Sequence, residues 1–349
     1  MVVCPATPDN PRHDHGQVLP LKDGRLLLVW CEYYVTDPSR RVDVTGIGPC
    51  VGDETPCRIS GRISDDDGQT WGQKFTVQEN IGADNVKHPN LLRLLNGDIL
   101  LCFTVRDSKH HQVTVMFKRS KDDGKTWDQP RPVTTEAGVH LVNADHILRL
   151  RDGRIILPTF RSPIYGVGDH YNAYCYYSDD DGETWQQSAT CVDLPKRGAE
   201  EPAIVELNDG MLLMMMRTSL GKAYRACSKD RGENWSDPEP TELAAPAAAN
   251  CLKRLPSGEL LFMWNHNYEA DHHHQGRRNP LSSAISRDEG QSWQNIKNLV
   301  DMPGFDSAYP SVTFWKGKAL VTYYHRQEPG PRGTELDLKI VPVEWFLKP

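Results

Sequence analysis

Apolar runs along this chain come in pairs, each pair hinged on a glycine. Residues 18–30 run around Gly24, 91–103 around Gly97 and 147–160 around Gly153. The pattern continues with 203–216 around Gly210, 252–264 around Gly258 and 312–323 around Gly317. Asp-Gly, Asn-Gly and Ser-Gly between apolar runs are hairpin signals, because glycine accepts the positive φ that a tight turn needs. The near-continuous apolar character predicts strands buried on both faces. No helix-period segment of useful length competes.

A second repeat is interleaved with the first. Residues 64–71 read SDDDGQTW, and the frame Ser-x-Asp-x-Gly-x-(Thr/Ser/Asn)-Trp returns at 120–127, 178–185, 228–235 and 286–293. The starts lie 56, 58, 50 and 58 residues apart, a period that signals a repeat architecture. Asp and Gly supply a tight turn, and the Trp buries a large ring beside it. Each copy therefore reads as a structural staple. A calcium loop would need more oxygens and a distal Glu, so no metal is assigned to the boxes.

The two repeats together predict the fold. A third strand runs into each box, as at 113–119 and 173–177, and a fourth leaves it. The sixth unit lacks a box but ends in a strand-like segment, 336–345. Six four-stranded units around an axis make an all-β, six-bladed β-propeller with five Asp-box turns, whose closure protects strand edges. The expectation is a single unit over residues 1–349. The long connections 35–55, 162–170 and 267–279 are where function is expected.

Composition narrows the classes. The chain has 349 residues, 25% of them charged, and a net charge of −7. That charge gives no reason to expect nucleic acid, and no basic run suggests an anionic membrane. No apolar run is long enough to span a bilayer. No signal peptide is visible, so the expected location is the cytoplasm, or outside the cell after removal of a signal. Nine cysteines at irregular spacing, without a CxxC pair, predict free thiols. The histidines at 271–275 and 110–111 lack set spacing to further ligands and read as solvated loops. Met214 to Met216 read as a buried strand.

Antiparallel pairing places the Gly turns and boxes at one mouth of the propeller. The opposite mouth receives the starts of the first strands and the ends of the second. Counting back eight or nine residues from each glycine gives His15, His88, Asp145, Glu201, Asn250 and Tyr309. Counting forward gives Arg106, Arg161, Arg217, Asn265 and Tyr324. Asp53 and Arg278 stand where third strands begin. Arginines bind carboxylates through paired planar hydrogen bonds. A Tyr beside a carboxylate can serve as nucleophile, and a separate Asp as general acid if its surroundings raise its pKa. This set suits cleavage of a glycoside whose sugar carries a carboxylate.

The boxes and these residues resemble the sialidase (neuraminidase) superfamily, and the repeat-level match covers nearly the whole chain. Sialidases carry a Glu before a Val-Glu-Leu-x-Asp-Gly strand with an Arg closing the hairpin, similar to Glu201-Pro-Ala-Ile-Val-Glu-Leu-Asn-Asp-Gly leading to Arg217. Arg278 matches the family's third arginine, with Arg277 a rival. Ser307-Ala-Tyr309-Pro-Ser311 resembles the context of the family's Tyr. Asp53 resembles its acid in spacing, with Asp43 and Glu54 as rivals, and Glu200 is a weaker rival to Glu201. The resemblance departs at the first arginine of the triad. Here the stretch reads Pro11-Arg12-His13-Asp14-His15-Gly16, with Asp14 near the Arg position and Arg12 able to reach only after a rearrangement of the loop. His325 stands where the family's supporting Glu would be.

The resemblance implies a retaining exo-glycosidase acting on a terminal α-linked sialic acid or related acidic sugar of a glycan, without a cofactor. Tyr309 would attack, Glu201 would take its proton, and Asp53 would protonate the leaving oxygen. Arg217 and Arg278 would hold the carboxylate, with His15, His88, Asp145, Arg106 and Arg161 as further substrate contacts. Two other readings remain. One is a uronide hydrolase or lyase on the same fold, and the other a non-catalytic glycan-binding propeller.

Overall fold

The computed structural model describes residues 1–47, 50–162, 170–272, 274–328 and 330–348. The Gly-hinged hairpins form at all six places. The first sheet comprises Arg12–Pro20, Leu26–Tyr33, Cys57–Ser64 and Phe75–Gln78 in consecutive order. Two more sheets repeat this plan, from Glu200–Glu206 to Glu239–Ala244 and from Cys251–Arg254 to Gln294–Val300. The last contains Phe305–Trp315, Lys318–Gln327 and Glu335–Pro342. Its outer strand is Val2–Cys4, which pairs antiparallel with Glu335–Pro342, so both ends of the chain share one sheet. The sequence pattern had not identified this strand. A short helix, Glu344–Leu347, follows where the strand-like reading of 336–345 ran on too far.

The remaining strands form one nine-stranded sheet instead of two separate ones. The strand Val139–Leu141 pairs parallel with Gln112–Ser120 and antiparallel with Ile155–Ser162. It welds two hairpin sets that the periodicity treats as independent. Its three residues are too few to carry a periodic signal.

Each box is closed by its own side chains. Ser64 Oγ accepts the Gly68 N–H at 2.8 Å and donates to Asp66 Oδ1 at 2.9 Å. Asp66 accepts the Thr70 N–H at 2.8 Å and the Thr70 hydroxyl at 2.6 Å. The other four copies repeat this, with Asn234 and Ser292 in the Thr position. Gly68 has φ +88°, and a Cβ there would lie 3.1 Å from Leu320 Cδ2, so both backbone and space favour glycine. The residue before each box glycine is also left-handed, and several reach a neighbouring unit. Asp67 accepts from Trp315 Nε1 at 2.7 Å, Asp123 from the Lys22 N–H at 2.8 Å, and Glu289 from the Asn208 N–H at 2.8 Å. The boxes thus stitch each unit to the one before it.

Apolar clusters lie between successive units. One packs Leu27 and Val29 against Leu91, Ile99 and Phe103. Another packs Val18, Leu28 and Trp30 against Leu320, Leu336 and Leu338, joining the last unit to the first. A fully buried leucine contributes roughly 2 kcal/mol of transfer free energy, so these seams outweigh any single turn. All nine cysteines are free. No helix of the described residues is long and apolar enough to cross a membrane.

Candidate active site

The innermost strands share a kink. His15, His88, Asp145, Glu201 and Tyr309 have φ of 52°, 58°, 60°, 45° and 56°. Pairing with the next strand slips at four of these points, between Asp14 and Gln17, Lys87 and Asn90, Glu200 and Ala203, and Ala308 and Ser311. An extra residue bends a strand and re-aims a side chain. A left-handed non-glycine residue costs of order 1–3 kcal/mol, which the surrounding seams must offset. Counting back from each glycine therefore finds one structural position in five units. Four of those residues, His15, His88, Glu201 and Tyr309, line a cleft of about 640 Å³. Asp53, Arg106, Arg217 and Arg278 line it too.

At one end of the cleft, the Tyr309 hydroxyl donates to Glu201 Oε1 at 3.2 Å. Arg217 Nη1 sits 3.0 Å from Glu201 Oε2. Arg278 Nη1 donates to the Tyr324 hydroxyl at 2.7 Å, and its guanidinium lies 5.5 Å from the Tyr309 ring centre. Burial alone would raise the Glu201 pKa, but the charge and hydrogen bond of Arg217 hold it below the usual range. Burial, then the Glu201 charge, push the Tyr309 phenol up, and Arg217 and Arg278 work against that rise. The arrangement pairs a proton donor with an ionised acceptor beside two cations. Of the rivals named above, Glu200 also lines the cleft, with its carboxylate on Arg197 at 3.2 Å. Arg277 instead pairs with Glu269 at 3.7 Å and lines a separate cavity.

The other end is built differently. Asp53 Oδ1 lies 3.0 Å from Arg12 Nη1 and 3.2 Å from Lys87 Nζ, with 58% of its side chain exposed. Lys87 and then Arg12 hold its carboxyl well below the usual range. The expectation that Asp53 serves as a general acid required the opposite shift, so the free cleft holds Asp53 as a carboxylate. Arg12 does reach the cleft. Its Nε donates to Asp14 Oδ2 at 2.7 Å and its Nη1 to the Val51 carbonyl at 3.1 Å, which turns the guanidinium toward Asp53. Lys87 was missed. It stands one residue before His88, and only the kink brings both residues to the cleft.

Two expected substrate contacts fall elsewhere. Asp145 is buried off the cleft, where it accepts from Gln17 at 2.9 Å, Lys253 at 2.9 Å, Ser311 at 2.8 Å and the Val312 N–H at 3.1 Å. It ties strands of four units together, and those donors occupy both its oxygens. Arg161 lies 3.6 Å from Glu136 and 5.5 Å from the Tyr174 ring centre, so it belongs to the seam beside the strand Val139–Leu141. The rival Asp43 caps its own turn by accepting from the Thr45 N–H at 3.1 Å.

Metal-binding atoms come together at one place among the described residues, where Asp14, His15 and Cys31 lie within 4.8 Å of one another. Asp14 is already held by His15 at 2.6 Å and by Arg12 at 2.7 Å. A cation would face that guanidinium, so the group reads as an ion-pair cluster. His273 of the histidine loop, residues 163–169 of the connection 162–170 and residues 48 and 49 of the connection 35–55 lie outside the described residues.

Residues 53–323 match the model of the BNR repeat-like domain. A sialidase of Bacteroides fragilis (strain YCH46) is 27% identical over 219 residues, covering 58% of this chain and 38% of that protein. The chain thus spans well under half of that relative's length. Among solved structures, a protein of unknown function from Dyadobacter fermentans DSM 18053 superposes with a TM-score of 0.75 at 19% identity, over 98% of this chain and 97% of that one. The Hadza microbial sialidase Hz136 superposes with a TM-score of 0.74 at 18% identity, over 96% of this chain and 66% of that one. At these identities the structural likeness establishes the all-β, propeller-like fold.

Proposed function

The chain belongs to the BNR repeat-like domain family of the sialidase superfamily, and from that premise we propose that it is a retaining exo-glycosidase for a terminal, α-linked acidic sugar. The observation that carries this reading is the Tyr309–Glu201–Arg217 contact series with Arg278 beside the phenol. Tyr309 attacks the anomeric carbon as Glu201 takes the phenol proton, giving a glycosyl–tyrosine intermediate. A neutral nucleophile suits a sugar whose carboxylate would repel Asp or Glu. Arg217 and Arg278 hold that carboxylate. Asp53 serves the leaving oxygen and then the attacking water. As a carboxylate it is ready for the second task. For the first it must gain a proton, which becomes easier once a substrate carboxylate draws Arg12 away. The fold reading that goes with this is one catalytic domain of six blades, with the nine-stranded sheet counted as two.

A second reading is favoured by the Asp53 ion pairs and by Asp14 near the expected arginine position. It is a uronide-active enzyme using the His15 and His88 end of the cleft. Incubation with an aryl α-sialoside and with a uronide panel separates the two. Sialoside turnover abolished by Tyr309→Phe supports the first. Folded protein that turns over uronides only supports the second. Glycan binding without turnover, unchanged in Tyr309→Phe and Glu201→Ala, returns the protein to the binding-module class.

A further inference from the structure

The cleft lining includes a buried histidine that the reaction above does not use. His15 is 3% exposed, and its ring centre lies 4.3 Å from that of Tyr309. Its Nδ1 is 2.6 Å from Asp14 Oδ1. Asp14 is fully buried and also accepts from Arg12 Nε at 2.7 Å. One carboxylate therefore bridges the Arg12 guanidinium and the His15 imidazole, and Arg12 also pairs with Asp53 at 3.0 Å. The left-handed φ of 52° fixes where the imidazole is held.

We propose that His15 is the positioning residue of Tyr309, an imidazolium clamped beside the phenol ring that favours its ionised form when Glu201 takes the proton. This rests on the reading of Tyr309 as nucleophile. Burial opposes a charge on His15, but the charge and hydrogen bond of Asp14, with a further contribution from Cys31, raise its pKa to about 9. The groups around it come from five strands. Asp14 shares its strand, Cys31 faces it from Leu26–Tyr33, and His88 from Asn85–Arg93, with ring centres 4.6 Å apart. Tyr309 faces it from Phe305–Trp315, and Glu201 from Glu200–Glu206 feels its charge. Burial, followed by the charges of His15 and Lys87, pushes His88 well below the ordinary histidine value, so the pair carries one proton charge rather than two. Of the two histidines, His15 therefore carries the charge beside the Tyr309 ring, with Arg278 5.5 Å from the same ring centre.

The test reads ionisation states and needs no substrate. In the wild type, ¹⁵N-histidine NMR should show His15 doubly protonated at pH 7.5, and a neutral ring there overturns the proposal. A polyfluorinated tyrosine placed at 309 brings the phenol titration into the range where the protein stays folded, and ¹⁹F NMR follows it. His15→Asn removes the charge while keeping a residue type that tolerates left-handed φ. The phenol should then ionise about one pH unit higher, a tenfold change in its ionisation constant. Asp14→Asn, off the cleft lining, should shift it the same way. Equal phenol titrations in wild type and variants overturn the proposal. A shift without sialoside turnover leaves the His15–Tyr309 coupling standing and removes the sialoside reading. Turnover without a shift does the reverse.

Discussion

The two ends of the cleft are built on the same backbone device and present different chemistry. At the Tyr309 end, the left-handed residues Glu201 and Tyr309 face each other across 3.2 Å, and Arg217 keeps the acceptor ionised. At the Asp53 end, the equivalent kink carries His15 and His88, and cations surround every carboxylate. The first end holds the residues that the sequence resemblance singled out, Glu201, Arg217, Arg278 and Tyr309. The second has the buried pair Asp14–His15 near the place where the resemblance leads one to expect an arginine, with Arg12 reaching it from two residues upstream. The kink sets where a side chain goes, whereas its chemistry is left to the residue that occupies it. One end can therefore be rebuilt while the other is kept.

The comparison can be broken most directly at the Tyr309 end. Tyr309→Phe should remove sialoside turnover to background in a steady-state assay, and retained turnover would sink the nucleophile assignment. Glu201→Gln should lower kcat by about 10²–10⁴, the usual contribution of a positioned general base. A loss confined to KM would instead make Glu201 a binding residue. At the other end, Lys87→Met removes the stronger of the two cations holding Asp53 ionised. The alkaline limb of kcat/KM for an alkyl sialoside should move to higher pH, with less change for an aryl sialoside whose leaving group needs no proton. An unmoved limb would remove Asp53 from the acid role.

A smaller effect concerns stability. The His15 pKa is about 9 in the folded protein, against about 6.5 when unfolded. The folded state then binds the extra proton between these values, so stability is full below about 6.5 and falls as pH rises toward 9. Denaturation midpoints across this window should show that slope in the wild type and lose most of it in Asp14→Asn. The smallest change is at the far mouth. Ser120→Ala deletes the hydroxyl that accepts the Gly124 N–H at 2.8 Å and should cost about 1–2 kcal/mol by urea unfolding, with kcat untouched.

Sequence alone determined the repeat, and with it most of the fold and half of the site. Six glycine hinges and five boxes are local features. A glycine at positive φ or a Ser–Asp–Thr turn closes within a few residues, so its signal is contiguous in the chain. Counting from those hinges reached Glu201, Arg217 and Tyr309, and counting back from the last box reached Arg278, because each lies a similar number of residues from its turn. Tertiary structure decided what depends on distant residues. The strand Val2–Cys4 acquires its role only from Glu335–Pro342 at the other end of the chain. The strand Val139–Leu141 pairs with two units at once. Asp145 occupies the same counted position as Glu201, yet Lys253, Ser311 and Gln17 draw it into the interior. Asp53 was found by spacing, but its ionisation is set by Lys87 and Arg12, which lie 34 and 41 residues away in the sequence. Charge acts through space, whereas a sequence pattern records only order along the chain.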